Sequence, residues 1–61
     1  MFVINGDILN ADFNLDNDLI TLTLMGIFDK YKITLDKNEM VLYHGIQYIL
    51  NDLVTMLHEN K

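Results

Sequence analysis

An imidazole, a phenol and an amide recur in the C-terminal third of the chain, where His44, Tyr48 and Asn51 stand four and three residues apart. On a helix that spacing sets them on one side, where together they could hold a small polar ligand. Lys30 and Lys32 alternate as the outward residues of a strand do. A pocket between protomers that sequesters a metabolite or nucleotide could draw on all five side chains. The plainer reading of His44 beside Tyr48 is an exposed ring covering its neighbour.

Other chemistries meet firmer obstacles. Asp12, Asn14, Asp16 and Asp18 repeat the oxygen spacing that opens a calcium loop, but Asn17 stands where glycine makes the turn and Thr23 where a bidentate glutamate closes the cage. His44 and His58 are fourteen residues apart, about 21 Å along a helix, too far to share a metal within one chain. Neither a metal nor a cofactor is expected. Ser, Cys and Arg are absent, which removes Ser or Cys nucleophiles and bidentate guanidinium clamps. Gly6, Gly26 and Gly45 are too scattered to cradle a phosphate. Asp12 and Asp16 share a strand face, yet nothing there would bury a carboxyl for acid catalysis. An enzyme is not expected.

The elements that must position these residues follow from turn signals and periodicity. Asn5-Gly6 between Phe2-Val3-Ile4 and Asp7-Ile8-Leu9 predicts a type I′ hairpin with Val3 opposite Ile8. Ala11, Phe13 and Leu15 alternate with polar neighbours and predict a half-buried strand. A turn at Asn17-Asp18 sets Leu15 opposite Ile20, Phe13 opposite Leu22 and Ala11 opposite Leu24, and a turn near Asp29-Lys30 sets Phe28 opposite Tyr31 and Leu24 opposite Leu35. Gly26 then faces Ile33 and marks a candidate bulge.

Downstream, Asp36 and Glu39 have capping-box spacing, and Ile46, Ile49, Leu50, Leu53, Val54 and Leu57 form an apolar stripe. Residues 37–58 read as one amphipathic helix. The competing reading, favoured by Gly45 and by the β-prone run Met40-Val41-Leu42-Tyr43, is a short fifth strand and a helix from about Ile46. The fold class is therefore α+β, a single small domain over residues 1–61 in which a four-stranded antiparallel meander packs on one C-terminal amphipathic helix.

If Phe2, Leu9, Phe13, Leu15, Ile20, Leu22, Leu24, Ile33 and Leu35 face that helix, then Val3, Ile8, Met25 and Ile27 face away. The predicted registers gather these four into one apolar patch, a candidate contact with another copy or with a partner protein. Composition supports association. In 61 residues, hydrophobic burial and chain ordering nearly cancel, and with no Cys to form a disulfide the remaining route to stability is self-assembly, for which 51% hydrophobic content is ample. The net charge of −5 comes wholly from residues 1–29, which hold Asp7, Asp12, Asp16, Asp18 and Asp29 and no base. That excess argues against direct nucleic-acid contact and admits a basic protein surface as partner. No basic, apolar and small-residue leader pattern is present, and no window reaches the length needed to span a bilayer, so a cytoplasmic protein is expected. The function expected is a homo-oligomeric regulator or inhibitor of phage or mobile-element type that occupies a partner's surface.

Overall fold

The computed structural model describes residues 1–59 and shows an α+β fold of two three-stranded sheets and one C-terminal helix. The strands are β1 (Phe2–Ile4), β2 (Ile8–Phe13), β3 (Leu19–Met25), β4 (Lys30–Asp36), β5 (Met40–Tyr43) and β6 (Ile46–Ile49), followed by α1 (Leu50–Glu59). β2, β3 and β4 form an antiparallel meander in that order, while β1, β5 and β6 form a second sheet in which β1 runs parallel to β5. The predicted four-stranded meander is thus a three-stranded one, because β1 leaves it. Phe2 lies beside Val41 and Ile4 beside Tyr43, so Asn5-Gly6 links two sheets where a hairpin was expected.

One core draws on both sheets and the helix. Ile4 and Val41 enter from one sheet, Ala11, Ile20, Leu22 and Leu24 from the other, and Leu50, Leu53 and Val54 from α1. The central strand β3 buries its alternate residues Ile20, Leu22 and Leu24 completely, at 0% exposure, and turns its threonines outward. Period-two alternation made that face legible. A ten-residue helix is marginal in isolation, so packing of Leu50, Leu53 and Val54 stabilises α1 more than propensity does.

The registers differ from the predicted ones by whole pleats. β2 and β3 pair Ala11 with Leu22 and Phe13 with Ile20, two residues from the expected alignment. β3 and β4 pair Leu22 with Ile33 and Leu24 with Tyr31, four residues from it. Even shifts preserve the face of every side chain, which is why the inward set Ile20, Leu22, Leu24, Ile33 and Leu35 stands while the partners change. Leu15 is the casualty. The Asn14 amide donates to the Leu19 carbonyl at 3.0 Å, so Leu15 falls in the turn with its side chain in solvent. Phe13 keeps the inward side but remains partly exposed near the helix end, its ring edge-on to His58 at 6.1 Å.

One odd shift does reverse a face. Between Ile8 and Asn10 the ladder slips by one residue, an extra residue on β2 that makes a bulge. Ile8 therefore lies opposite Leu24 and packs against the core, whereas Leu9 is exposed. The expectation that Ile8 faces outward with Leu9 inward is corrected on this ground. The Ile8 amide donates to the Tyr43 phenol oxygen at 3.2 Å, joining the bulge to β5.

The helix over 37–58 is also corrected. Asp36 ends β4, its carboxylate accepting the Asn38 amide at 2.8 Å and its carbonyl the Glu39 amide at 3.0 Å, which is a turn into β5. The competing reading of residues 40–43 as a strand holds, but its helix from about Ile46 does not, because Ile46–Ile49 pair with β5 as β6 and the helix starts at Leu50. β5 and β6 are joined by His44-Gly45, both at positive φ (51° and 80°) between the paired Tyr43 and Ile46, a two-residue turn of type I′ character. α1 continues from β6 without a loop. The Leu50 amide donates to the Glu39 carbonyl and the Asn51 amide to the Lys37 carbonyl, each at 2.9 Å, so carbonyls of the β4–β5 connection bond the helix's first amides.

Candidate functional site

The site with the clearest geometry is the tip of the β3–β4 hairpin. The Gly26 amide donates to the Asp29 carbonyl at 2.9 Å, and the Lys30 amide to the Asp29 carboxylate at 2.7 Å, so the backbone closes around two residues, Ile27 and Phe28. Their side chains stand 94% and 98% exposed. They border an open surface depression of about 650 Å³ whose lining includes Met25, Lys30 and Tyr31. Gly6 also lines it, with Asp7 fixed beside it by its carbonyl, which accepts the Met25 amide at 3.1 Å.

Of the four apolar residues assigned to one patch, Met25 and Ile27 do share this depression. Val3, about half exposed on β1, borders a neighbouring depression with Leu42, His44 and Gly45. Ile8 is turned into the core by the bulge. Phe28 and Tyr31 complete the tip, a role the sequence reading missed by pairing them within a ladder. The available signal was Gly26-Ile27-Phe28-Asp29, where a glycine and an aspartate bracket two apolar residues as turn residues do.

The five residues assigned to a ligand do not converge. Lys30 sits at the tip, and Lys32 lies on the outward face of β4 opposite Thr23. His44 occupies the β5–β6 turn, its Nε2 3.2 Å from an Asp7 carboxylate oxygen and its ring 4.1 Å from that of Tyr43. Tyr48 is half-buried on β6 opposite Val41, and Asn51 is in the first turn of α1 near Lys37 and Phe13. The spacing of four that gathers His44 and Tyr48 on a helix separates them on a hairpin. Among the described residues no group of three or more His, Cys, Asp or Glu side chains could hold a metal ion.

The outward face of the meander is polar, carrying Asn10, Asp12, Thr21, Thr23, Lys32 and Thr34, with the Thr21 and Thr34 hydroxyls 3.2 Å apart. The apolar tip is therefore set off from a wetted sheet face. Comparison with family models, with curated proteins and with solved structures gives no match. Among the described residues no helix is long and apolar enough to cross a membrane.

Proposed function

We propose that this chain is a small, self-associating, non-enzymatic binding protein that regulates or inhibits a partner protein by occupying its surface with the β3–β4 tip. One observation carries the reading: Ile27 and Phe28 stand in water on a turn held by the Gly26–Asp29 backbone hydrogen bond and by the Asp29 carboxylate on the Lys30 amide. An aliphatic and an aromatic side chain on a fixed tip have the form of an interface anchor, and burying such anchors supplies most of the affinity in many complexes. Asp29 beside them and the acidic excess of the first half favour a socket that is apolar at its centre and lined with Lys or Arg at its rim. The action is steric, with no bond made or broken. The size, acidity and absence of Ser and Cys suit a cytoplasmic regulator of phage or mobile-element type.

The reading is tested by affinity capture from the producing cells with wild type and Phe28→Asp in parallel, followed by titration of the purified captured protein. Phe28→Asp is expected to weaken binding by about thirtyfold or more, and Thr23→Asp on the polar sheet face by no more than about threefold. Circular dichroism confirms that both variants fold. Equal binding by wild type and Phe28→Asp, or no partner in the wild-type capture, overturns the reading.

A further inference from the structure

We infer that the chain forms a two-fold dimer by antiparallel pairing of β4 with β4 of a second copy about Ile33, making one six-stranded sheet; this deepens the self-association proposed above and rests on it. Each sheet has two edges, and three of the four are unsuited to strand addition. β1 has three residues, β6 has four and runs straight into α1, and β2 carries the bulge at Leu9. β4 is seven residues long and pairs with β3 without any register shift. A long, regular open edge is a template for another strand.

The phase of its hydrogen bonds sets how a second strand can join. The Lys37 amide donates to the Asp18 carbonyl at 2.8 Å and the Gly26 amide to the Asp29 carbonyl at 2.9 Å, which marks both pairs as hydrogen-bonded ones. Alternation then directs the backbone groups of Tyr31, Ile33 and Leu35 toward β3 and those of Lys30, Lys32, Thr34 and Asp36 away from it. An antiparallel copy must match these even-numbered residues with each other. Centring on Lys32 opposes two ammonium groups, and centring on Thr34 leaves Lys30 beyond the partner's β4. Centring on Ile33 sets all seven residues opposite one another, Lys30 opposite Asp36 twice, Lys32 opposite Thr34 twice, and Tyr31 opposite Leu35 twice. Because the Lys30 amide already donates to the Asp29 carboxylate and the Asp36 carbonyl accepts the Glu39 amide, the new ladder runs through the amides and carbonyls of Lys32 and Thr34 and from the Asp36 amide to the Lys30 carbonyl. The lysines that would repel a foreign strand thus meet a carboxylate and a hydroxyl in the second copy. On the inner side, Ile33 and Leu35 are only half-buried although they pack against the core, and the partner's β4 covers them.

Three variants test this, with mass read by light scattering and analytical ultracentrifugation across micromolar to millimolar concentration and folding read by circular dichroism. Wild type is expected to dimerise. Lys32→Pro removes an amide that points away from β3, so the fold is expected to persist while the dimer is lost. Lys30→Asp and Asp36→Lys each place like charges opposite one another twice, which is expected to weaken self-association at least about tenfold. Mixed in equal amounts they restore both complementary pairs and are expected to form a heterodimer. Should Asp36→Lys fail to fold, the result rests on Lys32→Pro and Lys30→Asp. A wild type that stays monomeric throughout defeats the self-association reading itself. A wild-type dimer that folded Lys32→Pro and Lys30→Asp leave intact defeats the β4 edge alone, and binding of a partner by the Phe28 tip is measured separately.

Discussion

Gly6 and Gly45 both lie at positive φ, 89° and 80°, yet they answer to different constraints. A Cβ on Gly45 would meet nothing within 4 Å, so Gly45→Ala is expected to cost only the left-handed conformation, about 1–2 kcal/mol. A Cβ on Gly6 would strike the Met25 carbonyl oxygen, so Gly6→Ala must also push the β1–β2 link off β3 and is expected to cost clearly more. Thermal melts of the two variants check this order, and equal destabilisation would mean that the link gives way freely. Gly6 was legible as a turn residue. Its approach to Met25 was not, because the contact spans nineteen positions of sequence and arises from β1 joining a different sheet from β2.

At the scale of elements, Asp36 and Glu39 show why one local pattern serves two structures. A carboxylate accepting the amide two residues on and a carbonyl accepting the amide three residues on are common to a helix cap and to an Asx turn. The next residues along the chain decide between them, and here Met40-Val41-Leu42-Tyr43 favours a pleated surface. Asp36→Ala is expected to cost roughly 1 kcal/mol through loss of the turn. Glu39→Ala should cost little, since among the described residues its carboxylate reaches only the terminal ammonium, at 4.0 Å. The two effects are expected to add within about 0.5 kcal/mol in a double-mutant cycle, whereas a larger coupling would mean the reciprocal bonds of a capping box. His44-Gly45 carried the missed hairpin signal: a residue tolerant of positive φ followed by glycine, between apolar runs whose ends pair as Tyr43 and Ile46.

For the whole molecule, stability and assembly are linked by mass action. If the dimer is the populated form, the melting temperature rises with protein concentration for wild type and for Thr55→Asp, which alters an exposed helix position whose hydroxyl bonds the Asn51 carbonyl of its own helix at 2.8 Å. Lys32→Pro is expected to melt at one temperature whatever the concentration. Differential scanning calorimetry over a hundredfold dilution series makes the comparison, and a concentration-independent wild type would remove association as a source of stability.

The α+β class, the strands around Ala11, Ile20, Leu22, Leu24 and Ile33, and the helical face of Leu50, Leu53, Val54 and Leu57 are fixed by periodicities of two and of three to four, which depend on neighbours a few residues apart. The pairing of Phe2 with Val41, the bulge that turns Ile8 inward, and the exposure of Ile27 and Phe28 belong to the tertiary structure. Each is settled by which distant strand completes a ladder. A three-residue strand such as β1 has too little local preference to choose its partner, and a single inserted residue at Leu9 reverses a face that alternation alone assigns the other way.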